Sequence, residues 1–240
     1  MKAIILAAGM GSRLQGILQG KPKPLFELDG KSLLDYSLES LALNGIEETC
    51  IAIGFEGEKI KEKFGKTFRG MRLNYSNNPI YDKTGSMHSF YKALGVAQDC
   101  LVLDGDIIYD PIAINKILRN EKKDITILTN CCGSGDEVYV SINPMEELRY
   151  LGKKLPDEKL FWEFTGISKF SKEFVSQMFK LHEENLEKGQ CGEYCEDCAY
   201  RTSKIIPLHG FVIQGLAWSE IDKKEDIPRA LRALESIKNR

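Results

Sequence analysis

The first 110 residues alternate between short apolar runs and segments with helical spacing, and this alternation constrains the fold more than any other feature. Residues 2–6 form an apolar run that meets a glycine loop, as expected for a parallel strand buried on both faces. Apolar residues at helical spacing over 33–44 stop at Gly45, and residues 49–53 predict the next strand. The first unit is therefore predicted to be βαβ.

The alternation continues through further helices and strands and then gives way to a different pattern after residue 110. The predicted segments are helix 56–64, strand 71–75, helix 87–97, strand 100–103, strand 124–129, helix 174–186, strand 217–221 and helix 227–237. Residues 137–151 alternate like an antiparallel ribbon. We therefore expect an α/β fold built on a doubly wound, mostly parallel sheet, with a small antiparallel sub-region.

The charge balance argues against nucleic acid and membrane partners. The 33 Lys and Arg residues against 35 Asp and Glu give a net charge of -2, which supplies no positive field for a phosphate backbone or an anionic bilayer. The apolar runs are far shorter than the roughly 20 residues of a membrane span, and the first residues are unlike a signal peptide. We expect a cytoplasmic protein that acts on small molecules.

Three late cysteines, Cys191, Cys195 and Cys198, have the C-x3-C-x2-C spacing with which radical enzymes hold an iron–sulfur cluster. In those enzymes the motif usually lies early, on a barrel loop, whereas this chain has no barrel-like repeat. Zinc with His182 or His209 is a second alternative, but the spacing is irregular for a structural finger. With seven cysteines in all, an odd number, we expect free thiols and no disulfides.

Residues 7–14, Ala-Ala-Gly-Met-Gly-Ser-Arg-Leu, follow the first strand directly. Backbone amides of such a loop can converge on phosphate oxygens, and Arg13 adds a fixed positive charge. Leu14 stands where a Rossmann fingerprint needs its third glycine, and the Gly-Lys-Ser/Thr ending of a Walker loop is missing. Dehydrogenase and ATPase functions are therefore disfavoured. Standing alone, the loop could also be a tight turn that uses glycine for φ > 0.

A second motif at residues 21–25, Lys-Pro-Lys-Pro-Leu, holds Lys23 in a non-helical segment between two prolines. Taken alone, Lys23 would be a solvated surface lysine. Together, residues 6–13, 22–25 and 29–34 resemble the opening of the nucleotide-sugar pyrophosphorylase and cytidylyltransferase superfamily. The resemblance implies that Arg13 and Lys23 are catalytic and neutralise charge on the α-phosphorus and on departing pyrophosphate.

Two aspartates match the metal ligands of that superfamily. Asp106 ends a Leu-Asp-Gly-Asp run at the carboxyl end of a predicted strand, the edge where open α/β sheets bind ligands. Asp222, far along the chain, again follows a strand-like run. Carboxylates there suit Mg²⁺, so the resemblance implies a Mg²⁺ cofactor that orients and polarises the α-phosphate. Taken alone, Asp106 could equally serve as a turn or cap residue.

Residues 81–89 lie where the superfamily recognises the nucleobase, and the polar atoms and free amides at a helix start can read a base edge. Ser86 alone would equally predict a helix cap, and the two roles can coexist. The nucleotide-binding residues implied by the resemblance are Leu6, Ala7, Ala8, Gly9, Met10, Gly11, Ser12, Arg13, Lys23, Thr84, Gly85, Ser86 and Asp104.

Weaker segments at 134–139, 162–168 and 193–197, followed by 216–222, occur in the order seen in the 2-aminoethylphosphonate cytidylyltransferases, which the chain resembles over nearly its whole length. The three cysteines within 191–198 are not part of that pattern. The acceptor-binding residues implied are Asp136, Lys153, Glu196 and Asp197. We expect one domain over residues 1–240, with a nucleotide-binding part at about 1–110, an acceptor-binding part at about 111–222 and a closing helix at 223–240.

The resemblance implies transfer of CMP from CTP to a small phosphonate or phosphate acceptor; a homodimer is compatible with the sequence. Glu196 and Asp197 offer oxygens to a primary ammonium, whereas a quaternary ammonium is held best by aromatic faces. Tyr194, Trp162 and Trp218 leave that aromatic alternative open. The expected acceptor is therefore 2-aminoethylphosphonate, with phosphocholine or phosphoethanolamine as the first alternative.

A sugar 1-phosphate is a further alternative acceptor, although a sugar site needs several neutral hydrogen-bonding groups. A regulatory nucleotide-binding module without catalysis is the alternative from a different class. The joint presence of Arg13, Lys23, Asp106 and Asp222 argues against that module.

Overall fold

The computed structural model describes residues 1–155 and 160–239, in which strands and helices alternate much as the sequence predicts. The strands are β1 (Lys2–Ala7), β2 (Glu27–Leu28), β3 (Lys31–Ser32), β4 (Glu48–Ile53), β5 (Thr67–Phe68), β6 (Met71–Asn77), β7 (Cys100–Asp104), β8 (Ile107–Tyr109), β9 (Ile125–Thr129), β10 (Tyr139–Ile142), β11 (Leu148–Gly152), β12 (Trp162–Phe170), β13 (His209–Val212) and β14 (Trp218–Glu220). The helices are α1 (Gln15–Leu18), α2 (Leu33–Leu43), α3 (Gly57–Phe64), α4 (Ser86–Leu94), α5 (Ile112–Arg119), α6 (Lys172–Glu187), α7 (Cys195–Thr202) and α8 (Ile227–Lys238).

A ten-stranded sheet runs through the molecule in the order β11-β10-β12-β7-β1-β4-β6-β5, with β9 beside β12 and β13 beside β9. Strands β7, β1, β4 and β6 are parallel neighbours. Strand β12 runs antiparallel to β7, β9 and β10, and β10 runs antiparallel to β11. The predicted doubly wound, mostly parallel sheet with an antiparallel sub-region is confirmed.

Helices cover both faces of the sheet, which explains the unbroken apolar run of β1. Ala3 and Ile5 pack in one core cluster with α2 and α5, whereas Ile4 packs in a second cluster with α4, α6 and α7. Helix α8 closes a third cluster over β8. None of the helices in the described ranges is long and apolar enough to cross a membrane.

Several elements lie outside the predicted segments, among them α5, β12, α7 and β13. In β12 and α7 the buried faces are polar or contain cysteine. Strand β12 buries Glu163, Thr165 and Ser168, which interrupt the apolar signal of a central strand. Helix α7 turns Cys195 and Cys198 into the core as part of its apolar face. The helix predicted over 87–97 ends at Leu94, because the following Gly95 takes a φ of +69°.

Candidate active site

A cavity of about 570 Å³ opens at the carboxyl ends of β1 and β7 and extends over β12 and the start of α7. This is the edge of an open α/β sheet at which ligands bind. The predicted nucleotide-binding, acceptor-binding and metal-binding residues line the cavity, with the exception of Met10, which is 42% exposed outside its wall. Residues spread from Leu6 to Asp222 thus share one site.

Two glycines of the loop at residues 7–14, Gly9 and Gly11, differ in what their missing side chains allow. Gly11 takes a φ of +56°, and a Cβ there would lie 2.8 Å from the Cβ of Lys23. A Cβ at Gly9 would meet no heavy atom within 4 Å. Gly11 therefore provides the tight turn against Lys23, whereas Gly9 leaves open space on the cavity wall for a phosphate group.

Lys23 is a buried lysine rather than a solvated one. The prolines start a 3-10 turn at Lys23–Leu25, and the whole lysine is only 6% exposed. Its Nζ donates to Asp106 Oδ2 at 2.6 Å and to Asp222 Oδ1. Burial alone would lower the pKa of Lys23, but the two carboxylates outweigh it and raise the pKa above its ordinary value. The lysine is therefore held as a cation in the floor of the cavity.

Asp106, Glu220 and Asp222 bring three carboxylates together, with one oxygen of each lying within 4.8 Å of the others. Short strands β8 and β14 pair in antiparallel register, and Ile221 N–H donates to Asp106 O at 3.1 Å. Burial, followed by the charges of Asp106 and Asp222, raises the pKa of Glu220 to about 9. Hard carboxylate oxygens in this number fit Mg²⁺. The sequence prediction missed Glu220, although its spacing of two residues from Asp222 places both near one strand end.

Arg13 and Lys153 meet on one carboxylate, that of Asp136. Arg13 Nη1 donates to Asp136 Oδ2 at 2.5 Å and also to Asp222 Oδ2 at 3.4 Å, while Lys153 Nζ donates to Asp136 Oδ1 at 2.9 Å. Burial would raise the pKa of Asp136, but the two cations lower it below its usual value. Asp136 therefore holds in place two positive groups that line the cavity.

A loop ordered by buried glutamates presents Asp136. Glu137 accepts backbone N–H bonds from Ser134 at 2.6 Å and Gly135 at 2.9 Å, and Glu163 accepts from Cys132 N–H at 2.8 Å. Burial raises the pKa of Glu163 to about 7. These contacts explain why a stretch rich in glycine holds a fixed position on the cavity wall.

The predicted nucleotide-binding residues 84–86, within the base-recognition segment 81–89, are anchored from below by Asn78. The buried Asn78 Nδ2 donates to Thr84 Oγ1 at 2.9 Å and to Ser89 Oγ at 3.0 Å. Gly85 is the N-cap residue of α4, so Ser86 is its first helical residue and does not cap it. The capping alternative for Ser86 is wrong; its Oγ instead accepts from Cys195 N–H at 2.8 Å.

Asp104, Glu196 and Asp197 form the acidic end of the cavity. Asp104 lies beneath strand β12, where Gly166 takes a φ of +78° and a Cβ would come within 2.5 Å of Asp104 Oδ2. Burial, then the charge of Glu196, raises the pKa of Asp104. Burial also raises the pKa of Glu196 to about 7. This end of the cavity would be stabilised by a cation.

The aromatic side chains of the cavity differ from the three that the sequence suggested, because Tyr81 and Phe164 line it and Trp162 does not. Tyr194 and Trp218 line it, and Trp218 Nε1 donates to Thr165 O at 2.9 Å. Trp162 instead packs in the core cluster beside α6 and α7. The set of three aromatic residues considered for a quaternary ammonium is therefore not assembled.

Residues 2–137 of the chain match the nucleotidyl transferase family. The chain belongs to this family. The match covers the glycine loop, Lys23, the base-recognition segment and Asp106, which are the residues that the structure gathers at the carboxyl ends of β1 and β7.

Two curated relatives span nearly the whole of this nucleotidyltransferase chain. CTP:phosphoglutamine cytidylyltransferase of Campylobacter jejuni is 26% identical over 95% of the chain and 98% of its own length. CMP-5'-(3-aminopropyl)phosphonate synthase of Streptomyces rubellomurinus is 32% identical over 94% of the chain, which spans 37% of that longer protein.

Solved structures share the fold of the whole chain. The inositol-1-phosphate CTP transferase from T. maritima superposes with a TM-score of 0.80 at 20% identity, covering 99% of this chain and 96% of that one. The CTP:phosphocholine cytidylyltransferase from Streptococcus pneumoniae gives 0.77 at 22% identity, covering 97% and 98%. At these identities the likeness concerns the fold alone.

The cysteines of this nucleotidyltransferase are all free thiols. Cys198 Sγ lies 3.5 Å from Met178 O in the core, where burial raises its pKa to about 12, and Cys191 Sγ donates to Lys83 O at 3.2 Å. Cys191 thus contacts the backbone beside the base-recognition segment. That the three cysteines bind no metal stays a prediction.

Proposed function

We propose that this nucleotidyltransferase transfers CMP from CTP to a small aminoalkyl phosphonate, most specifically 2-aminoethylphosphonate, and releases pyrophosphate. The observation that carries the proposal is the placement of Glu196 and Asp197 in the same cavity as Arg13, Lys23 and the carboxylates around Asp106. The cavity therefore offers the positive groups of Arg13 and Lys23 to phosphate groups and has an anionic end for an amine.

Two relatives support the choice of substrates. The Campylobacter relative is named for CTP and the Streptomyces relative for a CMP-aminoalkylphosphonate product. The name of the Streptomyces relative contains both a phosphonate and an amine. The cavity offers positive side chains to the first group and negative side chains to the second.

In the proposed reaction an acceptor phosphonate oxygen attacks the α-phosphorus of CTP, a P–O bond forms there, and the bond to the β-phosphate breaks in line. The attacking oxygen is already ionised near neutral pH, so no general base is needed. Arg13 and Lys23 would neutralise the charge that grows on the α-phosphate and on pyrophosphate, and Lys153, which lines the same cavity, would pair with the phosphonate. The rate then depends on positioning and charge neutralisation.

Mg²⁺ would be held by Asp106 and Asp222, with Glu220 as a third carboxylate that the sequence did not predict. Bound there, the ion would supply Lewis-acid polarisation of the α-phosphate. Lys23 already joins two of these carboxylates, so the cation and the lysine share one anionic cluster.

Phosphocholine or phosphoethanolamine is the second candidate acceptor, because Tyr194 and Trp218 both line the cavity. An aromatic face contributes about 0.5–2 kcal/mol to the binding of a quaternary ammonium. A primary ammonium instead needs oxygen acceptors, which Glu196 and Asp197 provide.

A pyrophosphate-release screen tests the proposal with purified protein, the four nucleoside triphosphates and a panel of acceptors, with Mg²⁺ or with excess chelator. We expect turnover with CTP, Mg²⁺ and 2-aminoethylphosphonate, and lower kcat/KM with phosphoethanolamine, phosphocholine and sugar 1-phosphates. Equal use of ATP would contradict the assignment of cytosine as the base. Full turnover in excess chelator would contradict the metal assignment, and a preference for phosphocholine would contradict the acceptor assignment.

A further inference from the structure

The stretch 191–194, which lies beyond residues 2–137 that match the family, packs directly on the base-recognition segment. Gly85 N–H donates to Cys191 O at 2.9 Å, and Met87 N–H donates to Glu193 O at 3.3 Å. We call residues 191–194 the strap. Two of its contacts to the segment join backbone atoms, and Cys191 Sγ donates to Lys83 O at 3.2 Å. The strap therefore fixes the path of the backbone that faces the base.

The backbone of the strap lies in direct contact with the backbone of the segment at Gly85. A Cβ at Gly85 would lie 2.0 Å from Glu193 O and 2.6 Å from Gly192 O. The φ of Gly85 is -81°, so glycine is needed here for space and not for conformation. The segment therefore cannot shift toward α7 without moving the strap.

The strap leads straight into the acceptor end of the cavity. It is followed by Cys195, whose N–H donates to Ser86 Oγ at 2.8 Å, and then by Glu196 and Asp197. A hydroxyl on the nucleotide wall therefore satisfies a free backbone donor at the start of α7. The two walls are joined within a few residues.

Glu193 fixes the strap to the two helices beneath it. Its carboxylate side chain, 11% exposed, accepts from Asn185 Nδ2 on α6 at 2.9 Å and from Arg201 Nη1 on α7 at 2.5 Å. A charge-assisted bond to arginine is among the stronger contacts available to a loop. The carboxylate thus sets where the strap, and with it residues 84–86, can lie.

We propose that Glu193 is a positioning residue that fixes the base-recognition segment against α7, so that the nucleotide and the acceptor bind cooperatively. Glu193 does not line the cavity and acts through Gly85, Ser86 and the start of α7. The proposal rests on the proposed function for the identity of the acceptor, but its nucleotide part depends only on the segment 84–86.

The test is calorimetric titration of wild type and Glu193→Gln with an α,β-methylene analogue of CTP and Mg²⁺, with and without 2-aminoethylphosphonate. We expect the acceptor to tighten nucleotide binding by about fivefold or more in wild type. Glu193→Gln should weaken nucleotide binding by about tenfold and remove most of that coupling. The charge exchange Glu193→Arg with Arg201→Glu should restore part of both.

Glu183→Gln is the matched control, because Glu183 Oε1 accepts from Tyr91 OH at 2.8 Å and so links α4 to α6 without using the strap. It should leave both nucleotide affinity and coupling unchanged. Unaltered nucleotide affinity in Glu193→Gln, or a change in melting temperature alone, would overturn the proposal. If wild type binds another nucleoside triphosphate more tightly, or turns over another acceptor, the proposed function fails and the same titrations are run with those ligands.

Discussion

The part of the cavity that we propose binds the nucleotide, here the nucleotide wall, and the part that we propose binds the acceptor, the acceptor wall, are built in different ways. The nucleotide wall comes from short contiguous segments, residues 6–13 and 84–86, at the ends of parallel strands, and much of its surface is backbone. The acceptor wall collects single side chains from separate elements, among them Asp136, Lys153 and Glu196. A triphosphate presents the same shape in every nucleotide, whereas acceptors differ, and isolated side chains can change without rebuilding the sheet.

The largest effect should come from the carboxylates that serve both walls. We expect Asp106→Asn and Asp222→Asn each to lower kcat by about 10²–10³-fold for every acceptor, since each removes charge from the predicted metal site. Melting temperature should change little, because Lys23 keeps one carboxylate partner. Steady-state pyrophosphate release measures kcat, and thermal unfolding measures the melting temperature. Glu62→Gln, a change at an exposed residue, is the control. Wild-type turnover in either variant would remove the metal assignment.

A smaller effect should be limited to the acceptor wall and leave the nucleotide wall unaffected. Glu196→Ala should cost about 2–5 kcal/mol of acceptor recognition, or roughly 30-fold or more in kcat/KM for 2-aminoethylphosphonate, because an ammonium is left partly unpaired. CTP affinity should barely change. Propylphosphonate, which lacks the amine, is the control acceptor and should not distinguish the variant from wild type. A variant whose only loss is in CTP affinity would show that the acceptor wall is misplaced.

The packing between α4 and α6 should respond to acid. His88 Nδ1 lies 3.2 Å from His182 Nε2, between α4 and α6, and burial, followed by the charge of His88, lowers the pKa of His182. The unfolded chain therefore binds more protons, and stability, full above about pH 6.5, falls as the pH drops below that value toward the folded pKa. Between pH 7.5 and 5.5, the melting temperature of wild type should fall by about 2 °C more than that of His182→Phe. His209→Gln is the control variant. If wild type and His182→Phe lose the same melting temperature on acidification, His182 does not have this role.

The smallest effect should come from the late cysteines. Cys191→Ser should leave the metal content of the purified protein unchanged, because Cys195 and Cys198 are buried in the face of α7 and are not placed as a ligand set with it. Elemental analysis after dialysis against a mild chelator makes the measurement. Stoichiometric zinc or iron in wild type that disappears in the variant would show that these cysteines bind metal.

The sequence predicts the nucleotide wall better than the acceptor wall for a physical reason. A parallel strand buried on both faces, a glycine loop and a rigid Pro-Lys-Pro segment are local patterns with local causes. Strand β12 and helix α7 carry buried glutamate, serine and cysteine, so their periodicity is hidden. Glu220 joins Asp106 only through the pairing of β14 with β8, which no local pattern reveals.

That pairing also sets when the site can exist during synthesis. The glycine loop, Lys23 and Asp106 are made early, whereas residues 218–226 come late and bring Asp222 with them. Domains generally fold as units while the chain is still being made. A partly synthesised chain that ends before residue 218 lacks Glu220 and Asp222. The predicted metal site therefore cannot assemble until residues 218–222 have been made.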